Sequence, residues 1–397
     1  MVDDHNKLIA RDPKTFKERY AIDVHLRHRV TSVDPHNRSI CVVDLDTGTE
    51  RTESYDHLLL ATGSRPVQPF AEAKGLDNLH IIKSLASGIA LKQYLDREQV
   101  RHAVIVGGGY IGIEIAEALL LRGIQVTMLQ RSAYIMHAFD PSMSKRIADG
   151  IRRHGVTVMT GAGVKGFEID KGKARAVIAG GQTIPADLFI LGMGVTPNTE
   201  LAQNAGLQLG PADSIQVNEH MQTSAPDIWA AGDCCQSIHL INRQPVYIPL
   251  GTTANKQGRT AGINIGGGDA TFPGVLGTAI TKFQDTECAC TGLNTRTLEK
   301  TGIDFVSSEI DARTLPGYYP ETAPLTVKLL ADRKTARILG GQIVGGPGSA
   351  KRIDTLVVAL HAEFTLEDML NLDLSYAPPF ANVWDPMVIA AREALKQ

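Results

Sequence analysis

The residues best suited to chemistry lie in one short run, Gly107-Gly108-Gly109-Tyr110-Ile111-Gly112. Glycines at 107, 109 and 112 match G-x-G-x-x-G, and each has a physical use. The first permits a tight strand-to-helix turn, the second lets a pyrophosphate approach the backbone, and the third lets the helix pack close to its strand. Tyr110 and Ile111 open that helix, whose unpaired N–H groups and dipole favour an anion. About 20 residues further on, where an acidic residue usually holds the NAD ribose, stand Gln130 and Arg131. A neutral amide removes repulsion against a 2′-phosphate, and a guanidinium can pair with one. Equally, Gln130 can bond a ribose hydroxyl while Arg131 stays solvated. The first alternative makes NADPH at least as good a coenzyme as NADH.

A second candidate is Asp233, which follows Gly232 at the end of the apolar run Ile228-Trp229-Ala230-Ala231. A carboxylate there needs a donor, and a ligand hydroxyl would serve. The alternative is a capping Asp that starts the next helix. The five cysteines (Cys41, Cys234, Cys235, Cys288, Cys290) include no C-x-x-C, so spacing supplies neither a redox pair nor a metal knuckle. Cys41 reads as a small core residue, and Cys288 and Cys290 share one face of a strand, a poor geometry for a disulfide.

The elements that must position these groups follow from texture. From about Arg101 the pattern alternates strand and helix: Ala103–Val106, a helix over Tyr110–Arg122, Val126–Leu129, a helix over Pro141–His154, Val156–Met159 and Asp187–Leu191. That alternation predicts a parallel sheet with crossover helices. Before it, Ser39–Val43 and Tyr55–Leu60 read as strands, and Arg65–Pro69 as an irregular connector. After Phe272 the pattern turns antiparallel, with Thr326–Leu330 and Ile338–Val344, and a closing helix over Asp354–Leu360.

Composition sets the bounds. The chain has 397 residues, 43% apolar and 21% charged, with a net charge of −3. Such a chain builds two or three domains and carries no general field for nucleic acid or anionic membrane. The acidic start Met1-Val2-Asp3 is unlike a signal peptide, and no apolar run approaches a membrane span. Cytoplasm is the expected compartment.

Taken in order, Ala61-Thr62-Gly63-Ser64-Arg65-Pro66, the glycine motif with Glu114, Gly194-Val195-Thr196-Pro197-Asn198, and the string from Thr223 to Asp233 form a series. The series resembles the pyridine nucleotide-disulfide oxidoreductase superfamily of FAD-containing flavoproteins. Tyr318-Tyr319-Pro320 and Ser375-Tyr376-Ala377-Pro378-Pro379-Phe380 look like its coenzyme A disulfide reductase and NADH oxidase branch. The resemblance implies an α/β fold in which a Rossmann-like NAD(P)-binding domain (76–194) is inserted in a truncated FAD-binding domain (1–75 and 195–271). A C-terminal α+β dimerisation domain (272–397) follows. It implies FAD contacts at Ala61, Thr62, Gly63, Gly232 and Asp233. NAD(P) contacts would be Gly107, Gly109, Tyr110, Ile111, Gly112, Glu114, Gln130, Arg131 and Gly194, although Glu114 can equally be an exposed first-turn residue. Tyr376 of a partner subunit would help position substrate or protonate a leaving thiolate, or else act as an interface aromatic.

The expected activity passes hydride from NAD(P)H through FAD to a thiol, disulfide or oxygen acceptor in a homodimer. In one respect the sequence departs from the pattern. The family's N-terminal strand–G-x-G-x-x-G–helix and redox-active Cys would precede Met1, and none of the five cysteines matches that thiol. The expectation is a truncated enzyme that holds FAD weakly; the alternative is a non-catalytic nucleotide-binding dimerisation module.

Overall fold

The computed structural model describes residues 4–397, so the acidic start at Met1–Asp3 lies outside the described residues. The chain divides into two compact units. The first contains residues 4–65, 195–238 and 244–275. Its first part is an antiparallel meander, His28–Asp34, Ser39–Asp44 and Glu50–Ser54. Leu58–Leu60 then pairs in parallel with Ile228–Ala230, a strand that returns from far along the chain. Ile228, Ala230, Leu60, Val33 and Ile215 close the core beneath this pair. Cys41 corrects one expectation. It is only half-buried, and its neighbour Val42 is the core residue of that strand.

The second unit contains residues 66–194, 239–243 and 276–397. Its parallel sheet runs in the order Leu79–Ile81, Leu188–Leu191, His102–Val106, Gln125–Gln130, Thr157–Thr160. The central strands are buried on both faces, as their continuous apolar runs require. Helices Leu85–Arg97, Tyr110–Leu120 and Pro141–Arg153 connect them. An antiparallel meander, Val164–Asp170, Lys173–Ala179 and Gln182–Pro185, interrupts the alternation.

The C-terminal part is a five-stranded antiparallel sheet in the order Ala279–Phe283, Thr286–Gly292, Ile338–Gly345, Pro324–Asp332, Phe305–Arg313. Phe283, Cys288, Cys290 and Val344 of this sheet join the same core as Ile113, Met143 and Ile147. A buried ion pair crosses that junction. Lys328 Nζ lies 3.0 Å from Asp140 Oδ2, and Asp140 also accepts from the Thr295 N–H and hydroxyl.

Two assignments from pattern need correction. Ser64–Pro66 is a short strand paired with Val195–Pro197, because Pro66 stands at its end, where no ladder donor is needed. The helix Ile353–His361 does not close the chain; Pro386–Ala394 does, started by a proline at its first turn and capped by Asp385.

Candidate functional site

The glycine motif sits where a parallel strand hands over to a helix. Gly107 has φ +116°, and a Cβ there would lie 2.1 Å from the Gly192 carbonyl oxygen. Gly112 is equally constrained, its would-be Cβ 2.1 Å from the Gly107 oxygen. Gly109 is different: around its would-be Cβ there is open space. It is the N-cap of helix Tyr110–Leu120 and supplies no side-chain cap. Gly108 is tied down on both sides, its N–H donating to Gln130 Oε1 at 2.9 Å and its carbonyl accepting from Met136 N–H at 2.8 Å. The N–H groups of Gly109, Tyr110 and Ile111 have no acceptor among the described residues. Three free donors at an open helix start are a cradle for a pyrophosphate, so the residues present fit a dinucleotide.

The surrounding candidates occupy distinct places. Gly194 is exposed at φ +95°, just beyond the strand Leu188–Leu191, and its carbonyl accepts from Val67 N–H. Glu114 is exposed and accepts from Thr281 Oγ1 at 3.3 Å. The stem of Arg131 lies over Gly163, and its guanidinium has no ion-pair partner among the described residues. Gln130 is buried, and its amide is engaged within the protein: Oε1 on Gly108, Nε2 on Ser132 Oγ and His137 Nε2. The Tyr110 hydroxyl reaches Cys290 Sγ at 3.8 Å, and burial, then Cys290, raises its pKa.

In the first unit, Thr62 Oγ1 donates to the Asn198 carbonyl at 2.6 Å, and Asn198 Nδ2 donates back to the Thr62 carbonyl. This exchange holds Ala61-Thr62-Gly63 with Gly63 at φ +67° and no heavy atom where its Cβ would stand. Gly232, at φ +88°, packs against Ala254 in the first turn of helix Gly251–Ile265, whose N-terminus also lacks a side-chain cap. The Asp233 carboxylate accepts from Ser64 Oγ at 2.9 Å, and its carbonyl accepts from the Tyr247 hydroxyl. Burial and Asp233 push that hydroxyl up to about 12. A half-buried carboxylate beside an uncapped helix start and an open glycine fits the polyhydroxyl chain and ring of a flavin.

Sequence reasoning missed Gln257, which is fully buried. Its Oε1 accepts from Gly232 N–H, and its Nε2 donates to the Gln236 carbonyl and Ser237 Oγ. No local signal marks a mid-helix glutamine as the support of a turn 25 residues away.

All five cysteines are free. Burial raises Cys288 to about 12 and Cys290 to about 11, so both stay protonated near neutrality. The Cys235 thiol, then Thr62 and the Gly63 backbone, lowers Cys234 to about 6, while Cys235 is pushed well up by Cys234 and by burial. Both stay buried. Tyr376 is 47% exposed and Tyr318 75%. Both line a groove of about 470 Å³ together with Arg313, Asn382 and Trp384. Among the described residues no cluster of His, Cys, Asp or Glu could hold a metal, and no helix is long and apolar enough to cross a membrane.

A Rossmann-type sheet with an open phosphate loop, a second unit with a carboxylate turn, and an antiparallel C-terminal sheet define a nucleotide-dependent oxidoreductase. Residues 3–258 match the family model described as pyridine nucleotide-disulphide oxidoreductase, and residues 278–388 match the dimerisation domain of the same family. The chain belongs to the pyridine nucleotide-disulphide oxidoreductase family, in which hydride passes from NAD(P)H via FAD to a thiol, disulfide or oxygen acceptor. It is 37% identical over 388 residues to the NAD(P)H coenzyme A polysulfide/persulfide reductase of Pyrococcus horikoshii, covering 98% of this chain and 86% of that one. An NADH oxidase of Methanocaldococcus jannaschii is 35% identical, with 98% and 86% covered. The NAD-dependent persulfide reductase of A. fulgidus superposes with a TM-score of 0.95 at 34% identity, covering 100% of this chain and 74% of that structure.

Proposed function

We propose that this enzyme uses NAD(P)H to cleave a sulfur–sulfur bond in a coenzyme A-linked persulfide, polysulfide or disulfide. Gly107, Gly109, Tyr110, Ile111, Gly112 and Gly194 hold the nicotinamide dinucleotide. Arg131 faces its ribose, and Glu114 lies near its nicotinamide end. Ala61, Thr62, Gly63, Gly232 and Asp233 would hold FAD, which would supply two-electron transfer between the nicotinamide and the sulfur acceptor. In this reading 1–75 with 195–271 serve FAD, 76–194 serve NAD(P)H, and 272–397 pair with a second copy. Tyr376, supplied across that pair beside Tyr318, is the hydroxyl that supports the departing thiolate. The free thiols suit a reducing cytoplasm.

The observation that carries the nucleotide part is the open helix start at Gly109, with three donors waiting for an anion. The sulfur acceptor is supported by the relatives, since coenzyme A-dependent sulfur reductases stand at 36–38% identity. The test is NAD(P)H oxidation under argon with coenzyme A persulfide or disulfide, against oxidation in air without sulfur. Turnover that requires the sulfur compound is expected. Turnover with oxygen alone refutes the sulfur assignment.

A further inference from the structure

The two exposed tyrosines stand on segments with little regular structure of their own. Tyr318 lies in the loop 314–323, which joins the paired strands Phe305–Arg313 and Pro324–Asp332. Tyr376 lies in residues 371–385, which run between helices Leu366–Leu370 and Pro386–Ala394 without helix or strand. A chain without a ladder of backbone hydrogen bonds keeps one arrangement only where other contacts fix it.

One guanidinium reaches both segments. Arg352 Nη1 lies 2.6 Å from Asp385 Oδ2, while Nη2 donates to the Thr314 carbonyl at 2.8 Å and to the Phe380 carbonyl at 3.2 Å. Phe380 N–H in turn donates to the Ala377 carbonyl at 2.9 Å, so the path from Arg352 reaches the residue beside Tyr376. Thr314 closes the other loop: its N–H donates to the Ala323 carbonyl and its hydroxyl accepts from Ala323 N–H, both at 2.9 Å. A second tie joins the two segments, Asn382 Nδ2 donating to the Arg313 carbonyl at 2.8 Å.

The clasp is anchored at its far end as well. The side chains of Arg352 and Asp385 are only 15% and 13% exposed, and Asp385 also caps helix Pro386–Ala394 through Met387 N–H. A lysine cannot reproduce these contacts. Its ammonium is a point charge, whereas the planar fork serves a carboxylate and two carbonyls on separate stretches of chain.

We propose that Arg352 is a positioning residue that fastens the segment 376–385 to the loop 314–323, so that Tyr376 meets the sulfur substrate in one fixed place beside Tyr318. The proposal rests on the reading of Tyr376 as the hydroxyl that supports the departing thiolate. The action of Arg352 is indirect: both Nη atoms are engaged within the protein, and Nε is buried.

The test compares Arg352→Lys, Asn382→Ala and Tyr376→Phe in the full chain. The readouts are amide hydrogen exchange and NAD(P)H oxidation driven by coenzyme A disulfide or persulfide. Arg352→Lys should speed exchange at Phe380 and Ala381, whose N–H groups both bond the Ala377 carbonyl, while helix Ile353–His361 stays protected. Turnover should fall about tenfold with the KM for NAD(P)H unchanged, the effect of a displaced hydroxyl. On the Tyr376→Phe background the same change should cost less than about twofold, because a group that acts through Tyr376 then has nothing left to position. Asn382→Ala strands no buried charge and should move both readouts in the same direction; where Arg352→Lys fails to fold, it decides by the same criteria. Unchanged exchange at Phe380 and Ala381, or the full loss of turnover repeated on the Tyr376→Phe background, overturns the proposal and leaves the tyrosine assignment standing. If Tyr376→Phe turns over like the parent, or the parent turns over with neither sulfur compound, the thiolate reading falls and the proposal falls with it.

Discussion

Two glycines in one loop should fail in opposite ways when given a methyl group. Gly107 has φ +116°, and its Cβ would stand 2.1 Å from the Gly192 oxygen and 2.7 Å from its carbonyl carbon. Neither neighbour is a flexible side chain, so Gly107→Ala must move the backbone between two central strands. Left-handed strain and overpacking each cost roughly 1–3 kcal/mol, which predicts a melting point lower by about 5–20 °C for a unit of this size. Gly109 has φ −93° and no heavy atom within 4 Å of its Cβ site. Gly109→Ala should cost the fold only the difference between glycine and alanine at a helix cap, about 0.5–1 kcal/mol. Its methyl would, however, take up part of the open space at this helix start, which a bound pyrophosphate would have to enter. Losing one or two charge-assisted hydrogen bonds is worth about 3 kcal/mol, a roughly hundredfold weaker dinucleotide. Scanning calorimetry and NADH titration on the two variants separate these outcomes. If Gly109→Ala binds NADH within threefold of the parent, the coenzyme does not approach the backbone there and the cradle argument fails.

Removing half of the buried pair that joins the helix Pro141–Arg153 to the C-terminal sheet should also be costly. Asp140→Asn leaves Lys328 Nζ, with its side chain only 13% exposed, without a counter-charge and should lower stability by about 3 kcal/mol in denaturant melts. Asp140→Leu with Lys328→Met should recover most of that loss, and a double variant as weak as Asp140→Asn would show that the hydrogen bonds matter more than the charge. Arg131→Ala should weaken NADPH about fivefold to tenfold while leaving NADH nearly unchanged, read by parallel titrations at low salt; equal losses for both coenzymes would mean that this guanidinium does not face a 2′-phosphate.

The parts of this molecule that sequence exposed were those with a short period. The strand–loop–helix around Gly107 was legible because the glycine spacing and the apolar runs on either side agree on one geometry. Helix Gly251–Ile265 was not, since Gly251, Gly258 and Gly262 dilute its propensity while burial of Thr253, Gln257, Thr260 and Ala261 holds it in place. The meander from Val164 to Pro185 was missed for the opposite reason. Its strands are partly polar, and its turns at Lys171-Gly172 and Gly180-Gly181 stand inside a stretch otherwise dominated by strand–helix alternation.

The supports of the two glycine turns lay beyond local reading for a deeper physical cause. A chain that bends through glycine at positive φ leaves backbone N–H groups that neither strand nor helix can satisfy. At Gly108 and at Gly232 the same solution appears: the oxygen of a buried glutamine amide accepts the stranded N–H, and its nitrogen is anchored elsewhere in the same unit. A glutamine suits this role because one planar group presents an acceptor and two donors at once, so it fixes the turn and reports its own orientation. Spacing marks Gln130 only as a ribose neighbour, and nothing in the sequence marks Gln257; neither is marked as the support of a turn. What sets them apart is a bond made to a turn more than twenty residues away, which supplies the acceptor that the glycine turn itself lacks.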